Sequence, residues 1–548
     1  MGRRPPGSSV TTNHRTRIIV DPPGHDPAAT PSDPARIMHR GRKRGARTAN
    51  TVPEETTTTA LPAPVRALHP QTSAHGRAER DAAPGLRCNT DGARPAANSL
   101  MEGHCMAVSR RKILHAAWRE RIGPVWKSRL ASGGGAVLVG LFAFGFAWAA
   151  DHAQTAFGQL STSWPYAPLV ITPLGFLLLA WLTRRYAPLA KGSGIPQVIA
   201  AARDPARSRP LVSMRTALFK LVATLLALMV GGSVGREGPT VQVGAAIMAA
   251  SHRLLRIPVN GAVIIAGGAA GVAAAFNTPI AGVAFALEEL AAAYEQRLTL
   301  LVMAAVVIAG LIPLSLSGDY IYFGVVSETM SAFQALPIAL LVGVVGGAAG
   351  GLFSRVSLRL LSRGSIIGRH PLMSALICGI IVAVIGVAAQ GLTWGTGYDA
   401  ARTLVEGGRQ PIWFAPAKFI ATLASSLSGA PGGVFAPSLS VGAGVGGLLA
   451  NVFPEESRSA IVLIGMIAYF VGVVRAPLTA VVIISEMTAN RGMILPLFAA
   501  AVVADFAAKA VSGRRLYHGL ADNFLPEPDA PTGDDADTKK APDATPGA

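Results

Sequence analysis

The sequence predicts an all-α integral membrane protein built from two related halves, and two observations carry that expectation. Hydrophobic residues make up 50% of the 548 positions, charged residues only 15%, and the mean hydropathy is +0.41. In addition, the stretch from Lys220 to Ala245, KLVATLLALMVGGSVGREGPTVQVGA, returns as Lys418 to Ala443, KFIATLASSLSGAPGGVFAPSLSVGA. Without a gap the copies share Lys220/Lys418, Ala223/Ala421, Thr224/Thr422, Leu225/Leu423, Gly231/Gly429, Gly235/Gly433, Pro239/Pro437 and the run Val243–Ala245/Val441–Ala443. The same offset pairs Pro279 with Pro477, Val283 with Val481 and Glu288 with Glu486, so the repeat covers most of two halves, roughly 130–318 and 332–510.

Residues 1–107 are rich in Arg, Pro, Thr, Ala and His without apolar periodicity, and are expected to be disordered. They lack the apolar core of a secretory signal. Met101 and Met106 lie just before the next basic segment, so a cytoplasmic arm and a start codon assigned too far upstream both fit. A basic amphipathic helix is expected along the inner surface from Ser109 to Arg129. Its Arg110, Arg111, Lys112, Arg119, Arg121, Lys127 and Arg129 place the N-terminus in the cytoplasm by the positive-inside rule. The net charge of +18 therefore reads as membrane flanking. Nucleic-acid binding is set aside, because no aromatic-rich basic module accompanies the arginines.

The membrane unit is expected over 108–522. Charge-free runs at Ala131–Ala150, Ile257–Leu287 and Pro371–Tyr398 are long enough to cross a hydrocarbon core, which takes roughly 20 residues. Gly238–Ser251 is too short to cross alone. Long and short apolar helices separated by glycine breaks suit a transporter or channel better than a receptor bundle. Arg514, Arg515, Leu516 and Tyr517 open a short terminal helix. The acidic, proline-containing tail over 523–548 leaves no room for another core, so any regulatory cytoplasmic domain is expected on a separate chain. Cys88, Cys105 and Cys378 have no metal-ligand spacing, and no metal or cofactor is expected.

Each repeat copy reads as an apolar helix with one basic residue, a glycine-rich break, and a second apolar helix with proline in its first turn. Such a break aims bare backbone N–H groups and the positive end of a helix dipole at one point, which makes an anion site without an added cation. Interrupted helices at matching places in two repeats are the usual sequence pointer to a mid-membrane substrate site.

Three breaks stand out: Gly192-Ser193-Gly194-Ile195-Pro196, Gly235-Arg236-Glu237-Gly238-Pro239 and Gly433-Val434-Phe435-Ala436-Pro437. In that order they resemble the filter of the CLC family of chloride channels and chloride/proton antiporters, GSGIP, G(K/R)EGP and GxFxP. The resemblance runs from about Ser109 to Leu520 and takes in AFNTPIAGVAFALEEL at 275–290 and RAPLTAVVIISEMT at 475–488. It implies an inverted double repeat of tilted and discontinuous transmembrane helices, a homodimer, and one anion pathway in each subunit. By position, Ser193 would offer its hydroxyl to a central chloride, Val434 and Phe435 their N–H groups, and Tyr517 its phenol. Glu237 would be the gate, a carboxylate that takes the anion's place when ionised and leaves when protonated, carrying its proton. Glu289 matches the family's inner proton acceptor, which channels of the family generally lack. Chloride and protons, moving through the lipid bilayer of a bacterial inner membrane, are thus the implied partners, with both termini cytoplasmic.

Plainer readings stand beside these. Ser193 is also a helix N-cap type, Tyr517 an interfacial anchor, Glu237 a helix-dipole partner and Glu289 part of a solvated helix end. Glu288, duplicated as Glu486, reads as structural. Lys220 and Lys418 are each to be paired inside the protein or to attract anions through the field. Gln197 stands where the family usually has Glu, which puts the inner proton route in doubt and keeps a passive chloride channel as the alternative. A fluoride-selective relative is disfavoured by the retained Ser193 and Tyr517. From another class, Gly231-Gly232-Ser233-Val234-Gly235 fits a serine-hydrolase elbow, but the second copy has Pro431 in place of Ser233 and no intramembrane histidine base is evident. The dimer is expected to form through Ile461–Val473 and Ala476–Met487.

Overall fold

The computed structural model describes residues 95–525, with side chains from residue 125 onward, apart from 207–208, 291–295, 319–322, 324–329, 331, 363, 454–457, 489 and 491. Side chains at 296–299, 317 and 332 are also outside the description. The expectations for residues 1–94, and for the tail from 526, lie outside the described residues.

In the first half, α1 (Pro95–Ser163) is followed by α2 (Pro168–Tyr186), α3 (Ile195–Arg203), α4 (Met214–Met229), α5 (Glu237–Leu254), α6 (Gly261–Phe276), α7 (Pro279–Phe285) and α8 (Gln296–Ser317). The second half holds α9 (Ala332–Leu360), α10 (Ile366–Arg369), α11 (Pro371–Ala388), α12 (Tyr398–Val405), α13 (Phe414–Leu427), α14 (Phe435–Leu449), α15 (Arg458–Val474), α16 (Pro477–Thr488), α17 (Ile494–Val511) and α18 (Leu516–Ala521). At the offset of the sequence repeat, α5 starts where α14 starts, α7 where α16 does and α8 where α17 does. Five helical segments among the described residues are long and apolar enough to cross a membrane, whereas α6, α15 and α16 fall short of that length.

Three expectations change. Helix α1 runs unbroken for 69 residues, so the basic stretch over 109–129 continues into the first span rather than forming a separate surface helix. Pro95–Ala107, expected to be disordered, belongs to that same helix. The charge-free run Ile257–Leu287 is two helices rather than one span. Asn277 takes the left-handed conformation at φ 56°, closing α6, and the missing N–H of Pro279 costs nothing at the first turn of α7.

The halves lock together through carboxylates that the sequence pairs. Glu288 accepts hydrogen bonds from the N–H groups of Leu478 (3.1 Å) and Thr479 (2.8 Å) at the head of α16. Glu486 accepts from Ile280 (3.2 Å) and Ala281 (2.9 Å) at the head of α7. Each half thus caps a helix of the other with a negative charge at a positive dipole end, and the structural reading of Glu288 and Glu486 holds.

The buried lysines are paired, but with neutral groups. Lys220 Nζ donates to Gln242 Oε1 at 2.8 Å, and Lys418 Nζ to the carbonyls of Thr393 (3.0 Å) and Gly395 (2.9 Å). Helix α15 is buried along its whole length inside one chain. It is therefore not available to a partner subunit, which removes Ile461–Val473 from the expected dimer interface.

Candidate functional site

Helices α3, α5 and α14 begin at the three breaks, and the backbone holds those breaks together. Gly235 N–H donates to Gly433 O at 2.7 Å and Gly433 N–H to Gly235 O at 2.8 Å, while Gly432 N–H reaches Gly192 O at 3.2 Å. The approach is close enough to demand glycine. Gly194, at φ 112°, lies against the carbonyl of Gly238, and a Cβ on Gly238 would collide with the Ser193 side chain.

Around this junction stand hydrogen-bond donors that the protein leaves unused. Ser193 Oγ and Tyr517 OH are buried and close to one another, and neither makes a hydrogen bond of good geometry among the described residues. The N–H groups of Val434 and Phe435, at the head of α14, have no backbone acceptor. Ser193 is not an N-cap: Gly194 holds that position, with no side-chain capping bond. Tyr517 is fully buried and so is not an interfacial anchor. The Phe435 ring is fixed among Phe276, Phe285, Phe470 and Tyr517, at centroid distances of 5.9, 5.8, 5.0 and 5.8 Å, which pins the backbone that carries its N–H. Unused buried donors are costly unless something accepts from them. Hydroxyls and amides without a full positive charge suit an anion that must shed water and still leave.

Glu237 lies in that same space. Its carboxylate is fully buried, with Oε1 accepting from Tyr398 OH at 2.8 Å and Oε2 from the N–H of Ala436 at 3.4 Å. It therefore rests on the N-terminus of α14 as a bound anion would. A side chain on Gly235 would strike Oε2. Arg236 turns the other way, donating to Asp151 Oδ1 at 2.7 Å and to Ala147 O at 2.8 Å. On that side a cavity of about 790 Å³ is lined by Asp151, Gln154, Arg236, Tyr398, Asp399 and Arg402.

Tyr398 is the contact that sequence reasoning missed. It opens α12 directly after Gly395-Thr396-Gly397, whose glycines have φ of 63° and 80°. A glycine-rich break before a helix in the second half was a signal of the kind already used for the other three breaks.

Glu289 sits on a single π turn over Ala286–Leu290 that continues α7. It is fully buried, with both oxygens lacking a hydrogen bond among the described residues, the Arg515 guanidinium 3.8 Å away and His518 Nε2 3.7 Å away. Tyr517 is within electrostatic reach of both Glu237 and Glu289. Gln197 is buried and donates to the carbonyls of Lys191 (2.7 Å) and Leu189 (3.1 Å). It also lines a cavity of about 80 Å³ beside Ser193. Ser233 Oγ is engaged with Thr422 Oγ1 at 3.0 Å, and no histidine bonds to it among the described residues. The hydrolase alternative has no geometry.

Residues 174–509 match the sequence profile of the voltage gated chloride channel family. The chain belongs to the CLC family. It is 31% identical over 402 residues to the H(+)/Cl(-) exchange transporter ClcA of Citrobacter koseri, covering 68% of this chain and 83% of that one. It is 30% identical over 390 residues to ClcA of Salmonella agona, covering 66% and 81%. The fold is similar to the crystal structure of a slow cyanobacterial Cl-/H+ antiporter, with a TM-score of 0.63 at 26% identity over 73% of this chain and 98% of that one. A eukaryotic CLC transporter shares the fold at a TM-score of 0.59 and 22% identity, over 72% and 74%. The all-α CLC membrane fold expected from the three breaks is therefore the fold of this chain, and the family's members named here are transporters.

Proposed function

We propose that the chain exchanges chloride for protons across the membrane, with Glu237 as the gate and Glu289 as the proton acceptor at the other end of the pathway. The observation that carries this reading is the Glu237 carboxylate on the head of α14, held by Ala436 N–H and Tyr398 OH. An ionised carboxylate there competes with chloride for one set of donors. Protonation removes the charge that binds it to the helix dipole, so the side chain leaves, chloride enters, and the proton travels with the carboxyl group. Ser193 Oγ, Tyr517 OH and the Val434 and Phe435 N–H groups then hold the anion. The remaining filter residues, Gly192, Ile195, Pro196, Ala436 and Pro437 with Gly194, Gly235, Gly238, Gly433, Arg236 and Pro239, shape the backbone around it.

The same reading has one membrane unit over 108–522, flanked by 1–107 and 523–548, in the bacterial inner membrane with both termini cytoplasmic. It also has a homodimer with one pathway per subunit. With α15 internal, the outer face of α16, where Leu478 is exposed, is what remains of the expected interface. Chemical crosslinking in lipid tests for two subunits.

The deciding measurement for transport is proton uptake driven by a chloride gradient in liposomes. Wild type should move both ions. Glu237→Gln and Glu289→Gln should keep chloride flux and lose proton flux, because neither amide carries an acidic proton. Chloride movement by wild type without proton flux would replace antiport with a passive channel.

A further inference from the structure

Beside Glu289 stands a titratable side chain that the exchange scheme above leaves idle. His518, on α18 next to Tyr517, has 27% of its side chain exposed, whereas Glu289 has none. Its Nδ1 is 2.6 Å from Arg203 Nη2. A guanidinium only donates, so Nδ1 is the acceptor and the neutral ring carries its proton on Nε2. That Nε2 makes no hydrogen bond of good geometry among the described residues; it lies beside the Glu289 backbone and 3.7 Å from Glu289 Oε1, which is equally unpartnered. Donor and acceptor thus face each other over a gap that a small ring rotation or one bridging water closes.

The surrounding charges leave this pair as a route. Arg203 of α3, 32% exposed, also lies 3.4 Å from Asp522 Oδ1, so it has a second partner when it leaves the imidazole. Arg515, just before α18, stands 3.8 Å from Glu289 Oε2 and favours a negative carboxylate there. Glu288 is turned away onto the head of α16.

We propose that His518 relays protons between the solvent on its side and Glu289. The proposal rests on the reading of Glu289 as the proton acceptor. When Arg203 swings to Asp522, Nδ1 takes a proton from hydronium, and the imidazolium gives its Nε2 proton to the Glu289 carboxylate. A hydronium O–H bond breaks as the Nδ1–H bond forms, the Nε2–H bond breaks as the carboxyl O–H bond forms, and the ring returns to the neutral state as its other tautomer, which exchange with water resets. In the reverse direction the same steps discharge Glu289. The partly exposed imidazole lets a fully buried carboxylate trade protons without a continuous water file.

The test uses the full chain in liposomes, with proton and chloride fluxes recorded together. His518→Ala should lower proton flux by at least about tenfold while chloride flux continues, as loss of a positioned proton-transfer group does. Imidazole added to the buffer should restore proton flux in His518→Ala. His518→Gln keeps an N–H donor but does not titrate, and should show the same loss without rescue. A wild-type proton-to-chloride ratio in His518→Gln, while Glu289→Gln loses protons, overturns the relay and leaves Glu289 standing. A wild-type ratio in Glu289→Gln overturns both. Loss in His518→Ala that imidazole does not restore marks a positioning role and also overturns the relay. If His518→Ala carries no chloride, the near-isosteric His518→Gln decides.

Discussion

Tyr398→Phe removes a hydrogen bond from the proposed gate, Glu237. The ring keeps its neighbours, Phe323 at 5.6 Å and the Arg236 guanidinium at 5.9 Å, while the hydroxyl that donates to Glu237 Oε1 at 2.8 Å is lost. A hydrogen bond to a charged group contributes about 1.5–3 kcal/mol, more than the Ala436 N–H would supply to the carboxylate at 3.4 Å. At about 1.4 kcal/mol per tenfold, the equilibrium between gate in place and gate withdrawn shifts by roughly 10- to 100-fold. Chloride efflux from liposomes at neutral pH should therefore rise by about tenfold in Tyr398→Phe, toward but not beyond the rate of Glu237→Gln. The proton-to-chloride ratio should stay at the wild-type value, because the carboxyl group remains. Efflux unchanged in Tyr398→Phe while Glu237→Gln accelerates it would refute the idea that this hydroxyl holds the gate.

Three further outcomes follow from the same contacts. Ser193→Pro removes a buried hydroxyl donor and should shift preference from chloride toward the more weakly hydrated nitrate, read from reversal potentials in mixed-anion gradients. Glu486→Gln leaves Ile280 and Ala281 N–H with a neutral acceptor and should cost about 1 kcal/mol, as should Glu288→Gln, with the pair additive; thermal unfolding in detergent reads the shift. Gln197→Glu, although it restores the family's usual residue, turns two donated hydrogen bonds into a carboxylate facing the carbonyls of Leu189 and Lys191; folded yield should fall, and the proton-to-chloride ratio should not improve.

The halves, the three breaks and the residues Ser193, Glu237, Phe435 and Tyr517 were legible because each rests on a local feature of the chain: a repeat, a glycine run, a proline in a first turn. What escaped was set by tertiary contact. Tyr398 meets Glu237 only once α12 has folded over the junction, and Phe435 gains its aromatic surround from α6, α7, α15 and α18. The charge-free run Ile257–Leu287 looked like one span because hydropathy does not register a left-handed Asn277. Helix α15 is expected at an interface by the family resemblance, and its uniformly apolar composition does not contradict that. An apolar helix meets a partner, lipid or its own chain with the same composition, and only the packing distinguishes them.

The division between fold and chemistry follows the division between what the two halves share and what they do not. Where the copies agree, the contacts are architectural: Gly235 bonds Gly433, Glu288 and Glu486 cap each other's helices, and Lys220 and Lys418 are each tied to neutral oxygens. Where they differ, the proposed pathway is found. Glu237 stands opposite Phe435, Glu289 opposite Met487, Ser193 opposite Gly391 and Tyr398 opposite Ala200. A strict repeat would place two gates, or none, on one junction, and two carboxylates on facing helix heads would repel across it. In the proposed exchange, one copy supplies the removable carboxylate and the other the rigid N–H groups it competes for. On that proposal, the asymmetry is what would let a single ionisable side chain alternate with a single anion.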